Sequence, residues 1–87
     1  MAEYRILIKS SAAKEIEAVD AKIERRRIVA RILALARNPR PPGSEKLAGY
    51  VDRYRAREGR FRITYLIDDQ RSEVTIFKIG HRKDVYR

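Results

Sequence analysis

Residues 54–65, YRAREGRFRITY, decide the fold. Side chains alternate across a strand with period two, so Arg53, Arg55 and Arg57 share one face while Tyr54 and Ala56 take the other. Gly59 marks a turn that sends the chain back through Phe61, Ile63 and Tyr65, and the whole stretch reads as a β-hairpin. With Glu58-Gly59 as a two-residue turn, Arg57 falls opposite Arg60 and Arg55 opposite Arg62. Like charges directly opposed on paired strands cost a few tenths to roughly 1 kcal/mol per pair. A local rule broken so insistently marks a functional surface. An arginine-lined sheet face implies a polyanion, and the five tyrosines of the chain point to nucleic acid.

Downstream, residues 63–67 complete the returning strand and Asp68-Asp69-Gln70-Arg71 forms a turn. Residues 73–79, EVTIFKI, are β-branched and aromatic as an inner strand should be. Gly80 and HRKDVYR close the chain. Upstream, Arg40-Pro41-Pro42-Gly43-Ser44 is a loop that neither helix nor sheet tolerates, and residues 45–51 lead into the hairpin.

Before that loop the periodicity is helical. Ile28, Val29, Ile32, Leu33, Leu35 and Ala36 recur at three- and four-residue steps, giving a wide apolar face, with Glu24, Arg25, Arg26, Arg27, Arg31 and Arg37 mostly outward. Asn38-Pro39 ends this helix; Asp20 is either a surface residue of one long helix or, the favoured reading, the N-cap of this second one, starting near Ala21. An earlier helix opens after the hydroxyls of Ser10 and Ser11 and carries Ala12, Ile16, Val19 and Ile23 as one stripe. Residues 3–9, EYRILIK, alternate as a strand half buried against the helices. The expected fold is α+β in the order β-α-α-β-β-β: a small antiparallel β-sheet with an N-terminal helical hairpin packed on one face. The other face is open, and there the arginines collect.

The 87 residues make one domain, 1–87, with room for a single small core. Lys and Arg number 21 against 12 acidic residues, a formal net charge of +9, and fifteen of the 21 are arginine. Arginine grips phosphate bidentately and stacks on bases, so the partner is phosphate-rich or strongly acidic. There is no cysteine and one histidine, His81, which argues against thiolate chemistry and a structural zinc site. No apolar run approaches the roughly 20 residues of a membrane span, and the N-terminus has no signal-peptide pattern. The expectation is a cytoplasmic protein with no membrane partner and no metal.

Taken together, several stretches resemble the RelE/ParE superfamily of toxins from toxin–antitoxin pairs. They are Ser10-Ser11-Ala12-Ala13-Lys14-Glu15 after a first strand, Asn38-Pro39-Arg40-Pro41-Pro42-Gly43 after the helices, and Lys46-Leu47-Ala48-Gly49. The arginine hairpin follows, and then the ending Ile79-Gly80-His81-Arg82-Lys83-Asp84-Val85-Tyr86-Arg87. The resemblance implies a RelE-like fold. For the RelE branch it implies a cofactor-free, metal-independent endoribonuclease that cuts messenger RNA in the ribosomal A site; ParE relatives share the fold and poison DNA gyrase. The RelE pattern of functional residues falls on Arg55, Arg57, Arg62, Arg82 and Tyr86. The first two positions are lysine in the best-known RelE pattern. As arginines, which stay protonated in proteins, they bind and neutralise rather than accept a proton.

Cleavage on this reading is transesterification by the RNA's own 2′-hydroxyl on the adjacent phosphate. It needs a base for that hydroxyl, an acid for the leaving 5′-oxygen and positive charge for the phosphorane-like transition state. Arg62 is expected to grip the scissile phosphate and Arg82 to assist the leaving oxygen. Arg55 and Arg57 lower the cost of charge, and Tyr86 orients or deprotonates the nucleophile. Arg53, Arg60, His81, Lys83, Arg25 and Arg26 are candidate RNA contacts. For the Arg25-Arg26-Arg27 run the plain alternative is a solvated helix face, and for His81 a structural role beside a strand end. Tyr50, Tyr54, Phe61, Tyr65 and Phe77 at strand spacing read as core. The expected partners are the 70S ribosome, messenger RNA and an acidic, RelB-like antitoxin that covers the arginine face in a heteromeric complex. The rival readings are a ParE-like gyrase poison and a basic RNA- or DNA-binding module without catalysis.

Overall fold

Two strands at the centre of the sheet carry the core, because every second residue is apolar and their buried faces coincide. The computed structural model describes residues 3–81. In it β4 (Phe61–Asp68) buries Phe61, Ile63, Tyr65 and Ile67, and β5 (Glu73–His81) buries Val74, Ile76 and Ile79. The change from even to odd positions on β5 follows a bulge: Thr64 pairs with Lys78 and Tyr65 with Ile76, so Phe77 is the extra residue. The bulge keeps Ile79 pointing inward.

The order along the chain is β1 (Arg5–Ile8), α1 (Ser10–Glu17), α2 (Lys22–Ala34), β2 (Glu45–Lys46), β3 (Arg53–Glu58), β4 and β5. In the sheet the strands lie as β1-β5-β4-β3-β2. An α+β fold with a helical hairpin on one face is therefore present. The sheet differs from the expectation in two respects. It is mixed, since β1 runs parallel to β5, with Arg5 beside Glu73 and Ile8 beside Ile76. It also has a fifth strand, β2, in which Glu45 and Lys46 pair with Arg55 and Tyr54. With β2 beside β3 at one edge, β1 holds the other edge beside β5, and the chain passes from β1 to β2 through both helices.

Ala12 and Ile16 from α1, Val19 in the connection after it, Ile28 and Ile32 from α2 and Leu35 at its C-terminal cap complete one apolar cluster over the sheet. Ile23 leaves its expected stripe and is 60 % exposed, and Val29 and Leu33 also face solvent. Neither helix uses the expected cap. Lys9 precedes α1 and Ala21 precedes α2, both without a side-chain cap hydrogen bond, so Ser10 lies inside the first turn and Asp20 one residue before the cap. Arg25 Nη1 instead donates to Val19 O at 2.9 Å, holding the connection between the helices.

The segment after α2 is fastened to the sheet by polar contacts. Tyr65 OH donates to Pro39 O at 2.7 Å from within the core. Arg40 grips Asp69 through both Nη atoms, at 3.3 and 2.9 Å, and donates to Tyr54 OH at 3.0 Å. Tyr4 OH donates to the same Asp69 at 2.6 Å. These bonds fix where the Pro-Pro-Gly loop passes the edge of β3.

Candidate nucleic-acid interface

The hairpin closes on Gly59 and Arg60, one residue later than expected. Glu58 pairs with Phe61, Arg57 with Arg62, Ala56 with Ile63 and Arg55 with Thr64. Gly59 has φ of +58°, the left-handed backbone a first turn position of the type II′ kind requires. The shift moves the pairing by two residues, so every face is kept while the opposed partners change. Arg57 therefore faces Arg62 rather than Arg60. This is a non-hydrogen-bonded pair: Leu47 N donates to Arg53 O across the β2 edge, and by alternation Arg57 also turns its backbone groups outward. Side chains lie closest in such pairs, so the two guanidinium groups share one small patch.

Arg55, Arg57 and Arg62 line a cavity of about 310 Å³ together with Ala56, Glu45, Gly43 and Arg31. Glu45 meets Arg55 at 3.4 Å and is the cavity's one carboxylate among the described residues. The set of expected site residues on the hairpin is thus brought together. Arg31 joins it, although a reading of charge alone places Arg31 outward. Its position three after Ile28 and four before Leu35 sets it on the helix face turned to the sheet. That spacing was the available signal.

Arg82, Lys83 and Tyr86 lie outside the described residues. The remaining candidates are placed elsewhere. Arg60 leaves the hairpin face for Glu24, which it holds through two bonds of 3.0 and 2.8 Å. That pairing lowers the Glu24 carboxyl below its ordinary range and raises the Arg60 guanidinium. His81 stands edge-on to Phe61, with ring centres 5.1 Å apart, in a separate cleft with Glu15, Glu24 and Arg60. Arg25 is tied to the backbone of Val19, and Arg26 is an exposed residue of α2.

Arg53 stacks between aromatic rings, its Cζ 4.4 Å from the Tyr50 ring centre and 5.1 Å from that of Phe77. This corrects two core assignments. Tyr50 is 49 % exposed, and Phe77 is only partly buried under Arg53. Phe61 and Tyr65 are core, and Tyr54 packs against it, stacked on Tyr65 at 6.0 Å. Burial pushes the Tyr65 hydroxyl up from its ordinary pKa, so it is a structural donor.

Chemically, three open-face arginines with a fourth behind them form a preorganised anion site, with Glu45 as its one carboxylate among the described residues. Within the described part of the site Glu45 is the group able to accept a proton, and Arg55 pairs with it. The site can bind and stabilise phosphate charge.

A family model for the ParE toxin of type II toxin–antitoxin systems, parDE, matches residues 6–86. The chain is 36 % identical over 53 residues to Toxin RelG of Mycobacterium tuberculosis; the match covers 61 % of this chain and 61 % of that relative's length. Among solved structures, the archaeal RelE–RelB complex of Pyrococcus horikoshii aligns with a TM-score of 0.82 and 28 % identity over 92 % of this chain and 96 % of that one. The isolated E. coli RelE toxin shares the fold, with a TM-score of 0.78 and 23 % identity over 95 % of this chain and 90 % of that one. With a family model matched from its first strand to the penultimate residue, and the RelE fold reproduced over nearly its whole length, the chain belongs to the ParE toxin family of type II toxin–antitoxin systems, within the RelE/ParE superfamily.

Proposed function

We propose that this toxin is an endoribonuclease of the RelE kind, which cuts messenger RNA in the ribosomal A site and so halts translation. The observation that carries this reading is the cavity at the hairpin, where Arg55, Arg57 and Arg62 converge. Preorganised guanidinium groups stabilise charge that develops on a phosphate without reorganising, and one well-placed donor of this sort contributes roughly 10²–10³ in rate.

In the proposed reaction the 2′-oxygen of the nucleotide attacks the adjacent phosphorus, its proton leaves, and the bond to the 5′-oxygen breaks as that oxygen gains a proton. The products are a 2′,3′-cyclic phosphate and a 5′-hydroxyl. Arg62, with Arg57 beside it, holds the non-bridging oxygens, and Arg55 lowers the energy of the dianionic transition state. Arg82 assists the leaving oxygen and Tyr86 handles the nucleophile's proton. A tyrosine acts this way near neutral pH only beside cations, which an arginine cluster supplies.

The chain is paired on this reading with an acidic, RelB-like antitoxin, in keeping with the RelE–RelB assembly of the Pyrococcus horikoshii protein. A net charge of +9 suits both an acidic partner and the ribosome. The matched family model is named for ParE, which favours a second reading, a gyrase poison on the same fold. Induced expression of the parent, Arg62→Ala and Tyr86→Phe in a bacterial host separates the two. Growth arrest with new 5′ ends inside translated codons, weakened in both variants, is the expected result. Arrest with intact messages and broken DNA would move the assignment to the gyrase poison.

A further inference from the structure

We propose that Arg31 is a direct phosphate ligand: a guanidinium delivered by α2 around the edge of β3, which with Arg55, Arg57 and Arg62 encloses one phosphodiester of a nucleic-acid strand. This rests on the reading of the hairpin cavity as a nucleic-acid site, and deepens it by adding a residue from the other side of the sheet.

The placement starts from the length of β2. Because β2 is two residues long and pairs only with Tyr54 and Arg55, no strand among the described residues covers β3 beyond Arg55. The chain before β2 bends away at Gly43, whose φ of +92° suits glycine alone among the common residues. A gap is left at the edge of the sheet. Arg31 reaches this gap from the helical layer, while Arg55, Arg57 and Arg62 reach it from the open face. A β-carbon at Gly43 would stand 4.0 Å from Arg31 Nη2, so the guanidinium lies directly against the loop.

The environment of Arg31 is unusual for an arginine. Its Nε is buried and has no hydrogen-bond partner. Among the described residues it forms no ion pair, whereas Arg5, Arg37, Arg40, Arg55, Arg60 and Arg71 all do. A core-facing helix position next to Ile28, Ile32 and Leu35 would ordinarily carry an apolar side chain, and a buried Nε donor left without an acceptor is costly. Glu45, the cavity's one carboxylate among the described residues, is already engaged by Arg55. A phosphate oxygen is the acceptor that fits this donor: it is anionic, small enough for about 310 Å³, and able to take bidentate bonds from a planar fork.

The test is titration of the full chain with inorganic phosphate, followed by calorimetry and by the rise in thermal midpoint that ligand binding produces. The parent is expected to bind phosphate, and Arg31→Gln to weaken binding about tenfold or more, the loss of one charge-assisted contact. Arg31→Lys, which restores charge without the fork, should recover part of the affinity. Arg71→Gln, an equal charge change at the far β4–β5 turn, should leave affinity within about twofold. If Arg31→Gln does not fold, Arg31→Met keeps the aliphatic stem packed and reads the same loss.

A single-stranded 2′-deoxyoligonucleotide should displace phosphate from the parent, which identifies a strand rather than free phosphate as the ligand. Parental phosphate affinity in Arg31→Gln or Arg31→Met, no phosphate binding to the parent, or no displacement by the strand would each overturn the proposal. Neither arm requires RNA cleavage. A phosphate site that depends on Arg31 in a protein that cuts no message would refute the ribonuclease reading and leave this one standing.

Discussion

Arg57 and Arg62 face each other across β3 and β4 in the pairing that brings side chains closest. A fold selected for stability alone would place an opposite charge or a threonine at one of these positions. Replacing Arg57 with Gln is therefore expected to stabilise the protein by a few tenths to about 1 kcal/mol. In a domain of this size that is a rise of up to several degrees in the thermal midpoint. Cleavage by the same variant should fall at least tenfold, an opposition of stability and activity that thermal melts and a cleavage assay read side by side. A variant both less stable and fully active would contradict the role given to this pair. The alternation of Arg53, Arg55 and Arg57 was legible in the sequence, but the identity of the opposed residues was not. A slip of two residues preserves every face, so burial pattern cannot choose between the registers. What chooses is local: Gly59 takes the left-handed backbone at the first turn position, and Arg60 finds Glu24.

At the scale of elements, the loop between α2 and β2 is held by one cluster, in which Arg40 and Tyr4 both donate to Asp69. Those bonds keep the Asp69 carboxyl below its ordinary range, and the Tyr4 hydroxyl is raised by its bond to Asp69. A carboxyl with a depressed folded pKa contributes stability that is present above its unfolded value, near ~3.9, and is lost as pH falls through the lower folded value. Glu24 shifts in the same direction through Arg60. The thermal midpoint should therefore drop as pH falls below about 4, and Asp69→Asn should be less stable at neutral pH with a flatter acid profile. An unchanged acid profile in Asp69→Asn would show that the cluster does not fasten the loop. None of this cluster was visible beforehand, because Tyr4, Arg40 and Asp69 are distant in sequence and each is unremarkable by itself. The caps misread for a related reason: serine and aspartate were present at plausible places, but backbone geometry put Lys9 and Ala21 at the boundaries. The parallel pairing of β1 was equally hidden, since periodicity reports which face a strand buries and is silent on its direction.

Across the whole molecule, one face of the sheet is spent on the core and the other carries cations, with the cavity where the two layers meet at the edge of β3. The fold class was legible because the helical and strand periods change cleanly at the Pro-Pro-Gly loop. The hairpin part of the site was legible because arginines alternate there. Arg31 was not, since a charged side chain within a basic helix reads as solvated unless its spacing from Ile28 and Leu35 is given more weight than its charge. The central claim is that this surface cuts RNA rather than merely holding it. Its most direct test presents the purified chain with ribosomes programmed with a defined message and maps the 5′ ends that appear. Cuts within the codon in the A site, slowed by roughly 10² or more in Arg62→Ala, are the result the account predicts. Intact message with the parent chain, or cutting at the parental rate by Arg62→Ala, would contradict it.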